Sequence, residues 1–116
     1  MFLATIILSA LVAVAFLGSG SVKLAGAKQS LQIRDQLGVG AQLWRVIGAL
    51  EVAAAVGLAV GLAVPALGVA AAVGLSLLMA GAIAAHARAR DLIHATPAAI
   101  LLILAVATIV VRIASV

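Results

Sequence analysis

The sequence predicts an all-α membrane protein, a four-transmembrane-helix bundle with a short interfacial segment between helices 1 and 2. Three observations carry this. Hydrophobic residues make up 67% and charged residues only 9% of the chain, with a mean hydropathy of +1.42. A soluble chain of 116 residues needs polar side chains over most of its exterior, and this composition does not supply them. The apolar residues also fall into runs that provide the roughly 20 residues per span that a bilayer requires, and the only substantial polar segment is Lys23 to Gln42.

The first span runs from Phe2 to about Ser21. No Lys or Arg precedes Lys23, so it lacks the positive leader of a cleaved signal peptide and reads as a retained helix. In the polar segment that follows, Ser30 to Leu37 mixes apolar and charged positions before Gly38 and Gly40. This is the pattern of a short helix lying among the headgroups, with a loop as the alternative. Trp44, the sole Trp, follows where an aromatic belt residue would anchor the second span.

Val46 to Ala85 is an apolar run of 40 residues, too long for one crossing, and Gly61-Leu62-Ala63-Val64-Pro65 breaks it into a hairpin. The second span is therefore placed near 43–62 and the third near 65–86. Thr96-Pro97 supplies a Thr cap and a Pro at the first helical position, which opens a fourth span over about 97–114. Residues 1–116 form a single transmembrane domain.

Basic residues set the expected orientation. Lys23, Lys28, Arg34, Arg45, Arg88 and Arg90 flank the first and third connections, against Arg112 alone near the other side. The positive-inside rule then puts those connections in the cytoplasm and both termini outside, in a bacterial plasma membrane. The net charge of +4 belongs to topology and headgroup contact rather than to nucleic acid, since no basic patch is interleaved with aromatics. Arg112 reads as a snorkelling anchor, and Arg88, Arg90, Asp91 and His94 as a solvated loop.

Cysteine is absent, which removes thiol and iron–sulfur chemistry from this chain. His86 and His94, eight residues apart with no acidic ligand set at helical spacing, predict no metal site. For helix packing, Gly57 and Gly61 form a GxxxG pair on the second span, while Gly74 and Gly81 help keep the third span slim. These glycines serve either intramolecular packing or a homo-oligomer.

Glu51 stands out, an acid inside the apolar run. A carboxylate at membrane depth faces protein or water and has a partner. Helical side chains lean toward the helix N-terminus, so Glu51 leans back toward the basic side of the bundle. Lys23 and His86, on helices running the other way, lean inward to meet that level. Ser19 shares the face of Lys23 at i,i+4. Two readings follow: Glu51 and Lys23 are a structural pin between helices, or Ser19, Lys23, Glu51 and His86 line a pocket for a small polar head such as a quinone ring or lipid headgroup.

The first-span end Phe16-Leu17-Gly18-Ser19-Gly20-Ser21-Val22-Lys23-Leu24, the segment Arg45-Val46-Ile47-Gly48-Ala49-Leu50-Glu51-Val52, Pro65 and His86 together resemble the DoxX-like family of small four-helix membrane proteins. The resemblance implies the fold. It links some members to quinone-coupled sulfur oxidation or to membrane oxidoreductase complexes, and others to receptor assembly. Only Lys23, Gly48, Glu51 and His86 match positions of that pattern.

No Ser-His-Asp set, phosphate loop, metal cluster or carboxylate pair is present in the sequence. The first functional expectation is therefore an accessory or assembly subunit of a membrane, redox-linked complex without intrinsic activity. The alternative is a quinone- or lipid-binding oxidoreductase component, with quinone the one cofactor considered and any flavin or metal supplied by a partner. The expected partners are the lipid bilayer and a membrane-protein complex or a second copy of the chain. A reporter fused to the C-terminus tests the orientation: it is expected to report an external location, and a cytoplasmic signal reverses the topology.

Overall fold

The computed structural model describes residues 2–114, apart from the side chains of Gln29 and His94. Its helices are α1 (Phe2–Ala25), α2 (Lys28–Leu37), α3 (Ala41–Val60), α4 (Pro65–Arg88) and α5 (Thr96–Ala114), with a 3₁₀ turn at Leu92–Ala95. Four of them, α1, α3, α4 and α5, are long and apolar enough to cross a membrane, and no strand occurs among the described residues. The long dimension of 41 Å matches a bilayer with its headgroup layers. Only 17–28% of the most apolar stretch of each span is buried against protein, so the remainder faces lipid. The chain is a multi-pass integral membrane protein.

Local chemistry sets the boundaries. The first span extends to Ala25, one turn past the expected end, and carries Lys23 within the helix. Gly26, at φ +70°, then lets the Ala27 N–H reach back to the Val22 carbonyl at 3.1 Å. The interfacial segment is helical. It stops at Gly38 (φ +71°), where the N–H groups of Gly38 and Val39 bond to the carbonyls of Asp35 and Arg34, a Schellman ending that only a residue tolerant of the left-handed region gives cheaply. Pro65 occupies the first turn of α4, where its missing N–H has no helical acceptor to lose.

Two sequence expectations are corrected here. Thr96 does not cap α5: its own backbone is helical, and its hydroxyl donates back to the Ile93 carbonyl at 3.2 Å, because the 3₁₀ turn runs directly into the helix. Arg112 does not snorkel. It is 5% exposed and donates to the carbonyls of Gly61 and Leu62 at 3.0 and 3.1 Å, with its guanidinium 5.6 Å from the centre of the Phe2 ring. Carbonyls at the C-terminal end of a helix lack intrahelical donors, and a guanidinium brought across by α5 satisfies those at the α3–α4 turn. Asp91 is likewise half-buried. The His94 side chain lies outside the described residues.

The four spans form a closed ring in the order α1, α3, α4, α5, with the broadest contacts between α1 and α3 and between α4 and α5. Each buries a stripe whose members recur three, four or seven residues apart. On α1 it is Thr5, Ser9, Val12, Phe16 and Gly20, and on α3 Trp44, Gly48, Glu51, Ala55 and Leu58. Phe16, Leu58, Ala72, Leu75 and Ala105 meet at the centre.

Glycines decide how near the helices come. A Cβ at Gly20 would lie 2.5 Å from the Gly48 carbonyl oxygen, and one at Gly48 would lie 2.9 Å from Lys23 Cβ, so α1 and α3 touch backbone to backbone. Gly61 meets Gly68 equally closely at the α3–α4 turn, and Gly57 packs on Ala71. Gly74 and Gly81 do not pack, contrary to the sequence reading: a Cβ at either meets no heavy atom within 4 Å. The hairpin is thus pinched at its turn and splayed beyond it.

Gly48→Val is expected to push α1 from α3 and to destabilise the bundle by about 1–3 kcal/mol, the usual range for overpacking, measured as a fall in thermal midpoint. Gly18→Ala, on the open face of α1 with nothing within 4 Å, is the matched control and leaves the midpoint unchanged or raises it.

Candidate functional site

The close approach at Gly20 and Gly48 delivers Lys23 of α1 onto Glu51 of α3. Lys23 Nζ lies 2.8 Å from Glu51 Oε1, and the Glu51 side chain has no exposed surface. One turn before Lys23, Ser19 accepts a bond from the same nitrogen at 2.7 Å. The Trp44 ring completes the surroundings, its centre 5.0 Å from Lys23 Nζ, within the range of an attraction between an ammonium and the negative face of the ring.

Trp44 was expected to lie among headgroups, yet it is 7% exposed. Its indole N–H donates to Ser30 Oγ at 2.9 Å, which ties α2 over α3. Burying an indole is cheap only when its N–H has a partner, and Ser30, itself buried, supplies one. Trp44 and Ser30 therefore belong to the site although the sequence reading did not assign them. The available signal was spacing: Trp44 precedes Glu51 by seven residues, two helical turns along one stripe.

A groove of about 1580 Å³ leads away from this cluster, lined by α3 and α4 with α2 over one end. Ser19, Lys23, Ser30, Trp44, Glu51, His86 and Arg88 contribute to its polar lining, and its walls toward the α3–α4 turn are apolar, including Ala53, Ala54, Gly57, Ala71, Gly74 and Leu78. The splaying of the hairpin creates it, since Gly74 and Gly81 form a wall without side chains. Leu43, Leu50, Leu67 and Leu77 are exposed along its edges, so the groove opens sideways toward lipid.

His86 stands on the α4 wall, 8% exposed, near the helix end. The structure thus brings Ser19, Lys23 and Glu51 into direct contact and sets His86 in the same groove as a separate group. Both Glu51 carboxylate oxygens and His86 Nδ1 are buried without a hydrogen bond among the described residues, and of these Oε1 is held by the Lys23 ion pair. Those residues also contain no cluster of three His, Asp or Glu groups that could hold a metal ion.

No curated protein and no solved structure matches the chain. A family model does match, over residues 7–108, and that stretch holds the α1–α3 contact, the buried ion pair and the groove. On that match, this four-span protein belongs to the DoxX-like family.

Proposed function

We propose that this protein binds an amphiphile drawn sideways from the bilayer, its polar head at the Lys23–Glu51 cluster and its apolar part between α3 and α4. The supporting observation is the groove itself: one polar end, apolar walls and lipid-exposed edges in a single continuous space. Ligand sites combine a mostly apolar lining with a few placed polar groups, and this one does so at the level where a headgroup meets the hydrocarbon. From Glu51 to Gly61 the α3 wall extends about 15 Å at 1.5 Å per residue, enough for a quinone side chain or part of an acyl chain.

This reading is preferred to a purely structural pin or assembly role. An ion pair that only joins two helices does not need a glycine-walled space beside it, nor a buried histidine on that space. Binding of this kind also suits a redox-linked membrane complex, in which the bound molecule would be passed to a partner.

Filling the groove tests the proposal without touching the ion pair. Gly74→Leu and Gly81→Leu introduce side chains where no heavy atom lies within 4 Å of the Cβ, so both variants are expected to fold. With decylhydroquinone or monoolein as probe, each is expected to weaken binding about tenfold or more, a difference of about 1.4 kcal/mol. Trp44, the sole Trp, lines the groove and reports by fluorescence. Wild-type protein that binds neither probe refutes the proposal.

A further inference from the structure

The Lys23–Glu51 pair leaves an unequal set of open groups at the head of the groove. An ammonium has three donors and no acceptor. Lys23 donates one to Ser19 Oγ, holds Glu51 Oε1 as an ion pair at 2.8 Å, and has the Trp44 ring on a further side of its nitrogen. The cation is thus neutralised and flanked by protein groups. Glu51 keeps one oxygen open: as the anionic partner it offers only acceptors, and its Oε2 is fully buried and without a hydrogen-bond partner among the described residues. His86 Nδ1, on the opposite wall of the same groove, is also unpartnered there.

We infer that the groove selects an uncharged amphiphile whose head presents hydroxyl donors, with one O–H directed to Glu51 Oε2 and a second polar atom to His86 Nδ1. This rests on the amphiphile reading above and names the class of head. An anionic head such as a phosphate meets a lysine whose charge Glu51 already neutralises and a carboxylate oxygen that repels it. A head carrying only carbonyl or ether oxygens leaves Oε2 unpaired, which a buried charged acceptor tolerates poorly. A glycerol head or a dihydroxylated ring on an apolar chain meets both requirements.

The test compares each hydroxyl head with its own methyl ether, which keeps the oxygens, adds one methyl per hydroxyl and removes the donors. The protein is placed in phosphatidylcholine nanodiscs, whose lipids carry no hydroxyl donor, and Trp44 fluorescence is titrated with four probes: monoolein, its glycerol dimethyl ether, decylhydroquinone and its dimethyl ether. At least one hydroxyl probe is expected to bind about tenfold or more tightly than its ether, and the pair showing the difference identifies a glycerol or a ring source. Glu51→Gln is expected to bring that ratio close to one; should this variant not fold, the wild-type ratio decides alone. Equal binding of hydroxyl probe and ether in both pairs, or equally tight binding of dodecyl phosphate, overturns the hydroxyl selection and leaves the amphiphile reading standing. Binding of none of the probes overturns both.

Discussion

A carboxylate held inside a membrane domain with no exposed surface needs a counter-charge at contact distance, and Lys23 supplies it to Glu51 at 2.8 Å. That contact requires α1 and α3 to run closer than side chains normally allow. Gly20 and Gly48 make it possible, each with the other's carbonyl where a Cβ would stand. The constraint acts in both directions: the glycines admit the pair, and the pair fixes the axial register of α1 against α3, because a shift of one turn strands both charges. Removing one partner of a buried pair leaves an uncompensated charge, which is far more damaging than never having had the pair.

The rest of the bundle follows from where polar contacts are concentrated. Lipid provides no hydrophobic drive between helices, so association depends on close packing and on polar groups that find one another. Here those groups gather at the two ends of the ring. At one end are Lys23, Glu51, Trp44 and Ser30; at the other, Arg112 on the turn carbonyls and the Thr5 hydroxyl on the Val111 carbonyl at 3.1 Å. Between them, α1 with α3 and α4 with α5 behave as two broad contact pairs. They converge at Gly61 and Gly68 and diverge elsewhere, and the groove is the space left by that divergence.

Much of this was legible in the sequence, for reasons that differ by feature. The four spans follow from run length and from the break at Gly61 to Pro65. The meeting of Lys23 with Glu51 follows from helix direction, and the partnership of Ser19 with Lys23 from i,i+4 spacing. Trp44 was misread because an amphipathic ring at a span's start suits either headgroups or a buried partner, and only Ser30 across the fold distinguishes them. Arg112 was misread as an anchor because its acceptors lie 51 and 50 residues away. Its position was nonetheless readable, since Ala98, Ala105 and Arg112 recur every seven residues on the buried stripe of α5. Gly74 and Gly81 show the opposite limit: small residues make close packing possible without requiring it, and composition does not reveal which of them face another helix.

The reach of Arg112 also bears on the order in which the protein is made. The α3–α4 turn leaves the ribosome about fifty residues ahead of the guanidinium that caps its carbonyls. During that interval the hairpin is held by its own contacts, Gly61 on Gly68 and Gly57 on Ala71, and the Gly61 and Leu62 carbonyls lack the guanidinium. Arrival of α5 closes the ring and covers them in one event. The turn is therefore chemically complete only once the last helix is in place.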